Sequence, residues 1–231
     1  MLYAITDRRL YGGDEASARA RLLELTATWA AHGVSWIQLR EKDLPARDQV
    51  ELARAMLRVM RAQPESGVPE SAAPRLLING RADVALAAGA DGVHLPAGPD
   101  GLTPEEVRRI FAAAGRAQTP TISISCHTFE EVAAARQQKV DCILFAPVFE
   151  KVLRENEAAA ATTMESERGR KLPGTGLRLL EEACRAAAPV PVFALGGVTA
   201  ENAEDCLRAG AAGIAAIRLL QEPASVWKKL A

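Results

Sequence analysis

Apolar and polar positions alternate along this chain in two rhythms. Short apolar runs predict strands near residues 2–6, 36–40, 76–79, 92–95, 121–126, 142–147, 191–195 and 213–217. Longer amphipathic stretches predict helices near 14–32, 45–63, 82–89, 103–114, 128–138, 176–187, 199–209 and 223–230. Several helices carry their own boundary signals. Thr103-Pro104-Glu105-Glu106 and Thr199-Ala200-Glu201-Asn202 read as capped starts with acids in the first turn. Gly33, Gly89, Gly115 and Gly210 stand where helices should stop.

Alternating strand–helix units over 231 residues fit an α/β fold, a (β/α)8 TIM barrel forming a single domain over 1–231. An open doubly wound sheet is the competing arrangement. Two segments break the rhythm. Residues 64–74 read as a surface loop on the face away from the expected site. Residues 149–175 form a long insertion after the sixth strand, on the face where barrels keep their active sites, and read either as a lid or as a passive insertion.

Composition narrows the picture. With 48% hydrophobic and 25% charged residues, the chain has the makings of a globular core. A formal net charge of −1 gives no reason to expect nucleic acid or an anionic membrane as partner. No apolar run approaches the roughly 20 residues that cross a bilayer. The first residues lack the basic, then apolar, order of a signal peptide, so a cytoplasmic location is expected. The scattered Cys126, Cys142, Cys184 and Cys206 read as free thiols.

The candidate chemistry sits at predicted strand ends. In Trp36-Ile37-Gln38-Leu39-Arg40-Glu41-Lys42, the residues Gln38, Arg40 and Lys42 share one parity, opposite to Ile37 and Leu39. Cations on an inward strand face are costly to hold unless an anion meets them, so this stretch predicts a pocket for a phosphate-bearing ligand. In the fifth strand, Ser123, Ser125 and His127 share the inward parity. His127 would stand at the mouth, where an imidazole can take and give a proton, or it may only introduce the next helix. Asn79 could donate to a substrate oxygen. Arg81 is either an anion ligand or a solvated residue of a helix start.

His94 reads as a hydrogen-bonded core residue and His32 as a partner of a helix end. Gly196-Gly197, before a predicted helix start, would let backbone N–H groups approach a phosphate. The alternative is a tight turn with positive φ. Arg218 adds charge there or is solvated. The ends of the third and fourth strands carry Asn79-Gly80-Arg81 and Pro96-Ala97-Gly98, without an acid, and Asp7 stands alone, so no metal site is expected.

Together, Thr6-Asp7, Gln38-Leu39-Arg40-Glu41-Lys42, Ile78-Asn79, Gly92-Val93-His94-Leu95, Ser125-Cys126-His127, Ala146-Pro147-Val148-Phe149 and Gly196-Gly197-Val198-Thr199 resemble the thiamine phosphate synthase/TenI superfamily. The resemblance implies a (β/α)8 barrel and a role in thiamine biosynthesis. The synthase branch joins a pyrimidine diphosphate to a thiazole phosphate and needs Mg²⁺ held by two aspartates. Gly80 and Pro99 stand nearest those positions here. The chain therefore looks more like the TenI branch, a thiazole tautomerase that aromatises a carboxythiazole phosphate without cofactor.

The resemblance implies His127 as the catalytic residue and Arg40 as ligand of the substrate carboxylate or phosphate. It implies Gly196 and Gly197 as phosphate ligands. Lys171 is a loose match to the synthase lysine after the sixth strand. The expected partner is a small thiazole phosphate, with a homo-oligomer left open. The synthase, with Mg²⁺, and a non-catalytic thiazole-phosphate-binding regulator are the alternatives.

Overall fold

A computed structural model describes residues 1–62, 74–98, 101–152 and 171–230. Its strands are β1 (Leu2–Ile5), β2 (Trp36–Leu39), β3 (Arg75–Asn79), β4 (Gly92–Leu95), β5 (Thr121–Cys126), β6 (Cys142–Phe145), β7 (Lys151–Val152), β8 (Lys171–Leu172), β9 (Val192–Ala194) and β10 (Gly213–Ala216). Eight of them close a parallel barrel in the order β1-β10-β9-β6-β5-β4-β3-β2. The pair β7–β8 is antiparallel and stands apart, with Lys151 opposite Leu172. The helices are α1 (Glu15–Ala31), α2 (Ala46–Arg61), α3 (Ala82–Ala88), α4 (Pro104–Ala113), α5 (Phe129–Gln137), α6 (Gly176–Ala187), α7 (Ala203–Arg208) and α8 (Ala224–Trp227). The fold is thus the expected α/β barrel, not an open sheet.

Strand parity sorts the residues into two cores. Ile37, Leu39, Ile78, Val93, Ile122 and Ile143 face outward and pack against the helices. Tyr3, Ile5, Leu77, Cys142, Leu144, Phe193 and Ala215 fill the barrel itself. Tyr3 stacks on Trp36 with ring centroids 6.0 Å apart and meets Phe193 edge-on at 5.7 Å, forming the barrel floor. Gly92 marks the closest strand approach: a Cβ there would lie 1.8 Å from the Thr121 carbonyl oxygen, so no side chain fits.

Capping boxes start α4 at Thr103 with Glu106, and α5 at Thr128 with Glu131. Trp29 of α1 is fully buried and donates through Nε1 to the Leu220 carbonyl at 2.7 Å, tying the first helix to the chain's end. His32 caps α1, its ring Nδ1 bonding the Thr28 carbonyl, as read from the sequence.

Several element ends fall a residue or two from expectation, and three of the differences stand out. β6 ends at Phe145, before a cis Ala146-Pro147 peptide. β3 begins one residue early, at Arg75. The helix expected from 199 is regular only from Ala203; residues 200–202 form a turn before it, in which Asn202 Oδ1 accepts from the Thr199 N–H at 2.8 Å and the Ala203 N–H donates to the Thr199 carbonyl at 3.1 Å. The loop expected at 64–74 lies almost wholly outside the described residues. So does the middle of the 149–175 insertion. Its described ends form the β7–β8 pair, and Thr175 donates to the Pro147 carbonyl through both N–H (2.8 Å) and Oγ1 (3.0 Å). All four cysteines are free. Among the described residues, no helix is long and apolar enough to cross a membrane.

Candidate active site

The mouth begins at β2. Gln38 and Arg40 have the inward parity. Gln38 is buried and donates through Nε2 to Asn79 Oδ1 at 2.9 Å, while its own Oε1 has no partner among the described residues. The Arg40 backbone N–H donates to Thr6 Oγ1 at 2.9 Å. Its guanidinium makes no ion pair with a described residue, so it stands ready for an anion. The Arg40 charge, and then partial desolvation, hold the Lys42 ammonium below its ordinary value. Lys42 is exposed at the rim. A cavity of about 250 Å³ lies beside this end, lined by residues including Glu41, Lys42, Asn79 and Arg81 but not by Gln38, Arg40 or His127.

A charge cluster that sequence reasoning missed holds this end in place. Glu41 is 3% exposed and accepts from Arg8 Nη1 at 2.9 Å, and also from the Arg8 backbone N–H. The Arg8 guanidinium reaches Asp43 at 2.7 Å and Glu15 at 2.9 Å as well. Its hydrogen bonds to Asp43, ahead of those to Glu15 and Glu41, hold Arg8 well above the usual arginine range. Burial pushes the Glu41 carboxyl up, with Thr6 and Arg8 offsetting part of that. One signal was available: Glu41 shares the parity of Ile37 and Leu39, so an acid continued an outward, packed face.

At the end of β3, Arg81 donates through Nε and Nη2 to Asp83 at 2.8 and 2.6 Å, an exposed pair at its own helix start. Gly80, with φ of +66°, donates its N–H to the His94 carbonyl at 2.8 Å. His94 is 3% exposed, with Nδ1 2.8 Å from Ser123 Oγ and Nε2 3.0 Å from Ser125 Oγ. It is the hydrogen-bonded core histidine the sequence indicated, and burial, aided by the Arg40 charge, pushes it down to about 3.

His127 lies at the rim, exposed, directly before the Thr128 cap. Its Nδ1 lies 2.6 Å from the Ala146 carbonyl oxygen. A carbonyl only accepts, so Nδ1 carries the hydrogen and the neutral ring keeps its lone pair on Nε2. Glu131 fixes the backbone, accepting from the N–H groups of His127 (2.5 Å) and Thr128 (3.1 Å). The ring is thus oriented by one hydrogen bond and its backbone by another.

Gly196 and Gly197 have φ of +91° and +66°. A Cβ on Gly196 would lie 2.8 Å from Pro147 Cα, and one on Gly197 2.7 Å from the Glu150 carbonyl oxygen. The tight-turn reading therefore accounts for both glycines. The helix start expected behind them is displaced to Ala203, and the Gly197 carbonyl accepts from Asn202 Nδ2 at 3.1 Å. Arg218, after β10, is exposed.

The metal implied by the synthase branch finds a poor donor set. Asp7 is paired with Arg9 at 3.1 Å and Asp83 with Arg81, and Pro96-Ala97-Gly98 carries no acid. No cluster of three metal-ligating side chains occurs among the described residues. Asp100, an acid passed over by the sequence reading, lies with Pro99 outside them.

An eight-stranded parallel barrel with polar residues gathered at its C-terminal mouth has the architecture of a (β/α)8-barrel enzyme. Comparison with known proteins makes this particular. Residues 2–220 match the family described as thiamine monophosphate synthase, and the chain belongs to that thiamine phosphate synthase/TenI superfamily of thiamine biosynthesis. It is 41% identical over 223 residues to a Geobacter sulfurreducens protein provisionally named thiamine-phosphate synthase, covering 94% of this chain and 84% of that one. It is 34% identical over 217 residues to the thiamine-phosphate synthase of Roseiflexus castenholzii, covering 94% and 79%. Among solved structures, thiamine phosphate pyrophosphorylase from Pyrococcus furiosus superposes with a TM-score of 0.70 at 26% identity, covering 99% of this chain and 90% of that one.

Proposed function

We propose that the protein binds a thiazole phosphate at the barrel mouth and moves a proton on its ring, as a thiazole tautomerase. The observation that carries this reading is the His127 ring. Its Nδ1–H is committed to Ala146, and its basic Nε2 is free at the rim. Arg40, without an ion pair among the described residues, takes the carboxylate or phosphate. Lys42 adds charge at the rim, and Gln38, Asn79 and Ser125 offer polar contacts. Backbone groups near Gly196 and Gly197 remain candidate phosphate donors.

In this mechanism Nε2 of His127 removes a proton from the non-aromatic ring and the imidazolium returns one at the exocyclic carbon. Aromatisation supplies the driving force, so general acid–base help of about 10²–10⁴-fold is enough. No step needs a metal.

The second reading is the coupling of a pyrimidine diphosphate to a thiazole phosphate. The names of the relatives favour it, and on the comparisons alone it is the better supported. The synthase branch would hold Mg²⁺ with carboxylates after β3 and β4. Gly80 occupies the first of those positions, and the described donors do not fit the ion.

One experiment separates the two. The protein is given a non-aromatic carboxythiazole phosphate and followed by NMR. In parallel it is given the pyrimidine diphosphate, thiazole phosphate and Mg²⁺, and released diphosphate is measured. Tautomer conversion without added metal is expected. Robust Mg²⁺-dependent diphosphate release with no conversion would replace the first reading by the second. Tight binding with neither reaction would leave a non-catalytic binder.

A further inference from the structure

Beneath the mouth lies a row of buried hydrogen-bonding groups that the mechanism above does not use. Tyr3 and Ser123 are fully buried and His94 nearly so. The Tyr3 hydroxyl lies 2.9 Å from Ser123 Oγ, and Ser123 Oγ lies 2.8 Å from His94 Nδ1. On the far side, His94 Nε2 lies 3.0 Å from Ser125 Oγ. The row therefore climbs from the barrel floor, where Tyr3 packs on Trp36 and Phe193, to the half-buried Ser125.

A neutral imidazole has one N–H and one lone pair. Burial and the nearby Arg40 charge keep His94 neutral at any ordinary working pH. The row can then run in two directions. Suppose Nδ1 carries the hydrogen. Ser123 accepts it and turns its own O–H toward the Tyr3 oxygen. The Tyr3 O–H is left without an acceptor among the described residues, a buried donor stripped of water, which is unfavourable.

Suppose instead that Nε2 carries the hydrogen. Tyr3 donates to Ser123, Ser123 donates to Nδ1, and Nε2 donates to Ser125. Every buried hydrogen in the row now has an acceptor. Ser125 Oγ is occupied as an acceptor, and its own hydrogen is the one left over. It stands at the half-buried end of the row, near the C-terminal end of β5.

We propose that the Tyr3–Ser123–His94 row fixes the polarity of Ser125, so that its hydroxyl donates to an acceptor oxygen of the ligand, a carboxylate or phosphate oxygen. Tyr3, Ser123 and His94 are positioning residues, because they act through Ser125. A ligand group that must itself donate at this point is disfavoured. The identity of the ligand rests on the proposed function, but the polarity is a property of the ligand-free protein.

The first test is therefore made without ligand. Ring nitrogens of ¹⁵N-histidine protein are recorded by NMR between pH 5 and 8, with His94 assigned by its loss in His94→Gln. The expected result is a protonated Nε2 and a bare Nδ1 throughout. A protonated Nδ1, or an imidazolium in this range, would overturn the proposal. The second test titrates inorganic phosphate into the same sample. Ser125→Ala should weaken its binding about tenfold, the size of one hydrogen bond to a charged group.

His94→Leu should weaken it comparably. His94→Gln should restore it, since the amide oxygen can accept from Ser123 while its NH2 donates to Ser125. Equal phosphate affinity in His94→Leu and wild type would remove the positioning role. If phosphate fails to bind the wild type while Nε2 stays protonated, the polarity stands and the phosphate reading of the site falls.

Discussion

Arg8, just after β1, and Glu41, just after β2, are 33 positions apart in sequence, and their charged atoms meet at 2.9 Å in a space closed to solvent. Thr6 joins them, accepting from the Arg40 N–H. The pair therefore ties two strand ends together and sets the backbone from which Arg40 and Lys42 project. Removing one member of a buried pair strands the other charge, at a cost of about 3–5 kcal/mol. Arg8→Met should lower the urea midpoint accordingly. A midpoint within experimental error of wild type would show that the tie carries no stability.

The same cluster gives the fold an acid limb. Arg8 holds the carboxyls of Asp43 and Glu15 below their ordinary values of 3.8 and 4.5. A lowered folded-state value means stability that is present above the ordinary value and lost as pH falls through the folded one. Stability should therefore drop as pH is taken below about 4. Glu41 shifts the opposite way. Asp43→Asn removes a lowered group and should flatten the limb in denaturation curves recorded from pH 5 to 2.5. A limb as steep as that of wild type would acquit Asp43.

Arg40 and Arg81 look alike in sequence and should behave differently. Arg40 has no ion pair among the described residues, whereas Arg81 is held by Asp83. Arg40→Ala should raise the KM for a phosphorylated thiazole by about tenfold or more, the loss of a hydrogen bond to a charged group. Arg81→Ala should leave KM unchanged and stability within about 0.5 kcal/mol. The reverse pattern in steady-state kinetics would move the anion site from β2 to β3.

His127→Ala should cut the tautomerisation rate by about 10²–10⁴-fold with little loss of stability, because the side chain is exposed. Thr128→Ala tests the support rather than the ring. Losing that cap should cost about 1 kcal/mol. It should also lower kcat more than it raises KM, since Glu131 loses half of the arrangement that fixes the His127 backbone. A full rate in His127→Ala would take the ring out of the chemistry.

Gly196→Ala forces a side chain into the left-handed region and against Pro147. Left-handed backbone alone costs an ordinary residue about 1–2 kcal/mol, and the contact adds to it. Thermal unfolding should show at least that loss. An unchanged midpoint would mean that the 147–150 segment yields freely.

The barrel was legible because parity is local. Ile37 and Leu39 alternate with Gln38 and Arg40, and Ile122 and Ile124 with Ser123 and Ser125, so these two strands declare their faces, whereas β1, β6, β9 and β10 are apolar runs buried on both sides and show only that a strand is there. Pairing between strands is not local. The Arg8–Glu41 tie depends on the register that sets Ile5 beside Gln38, and the bonds of His94 depend on the register that sets it beside Ser123. The Arg81–Asp83 pair is local, two residues apart, and exposed, so it competes with a ligand without excluding one. At Thr199 the cap was legible, since Asn202 accepts from its N–H, but the regular helix begins only at Ala203.

The aromatic floor made by Tyr3, Trp36 and Phe193 turns the barrel into a cup with one door. Whatever enters past Arg40 and His127 must leave the same way, so reactant and product compete for one threshold. Product accumulation should therefore slow this protein competitively with respect to its substrate.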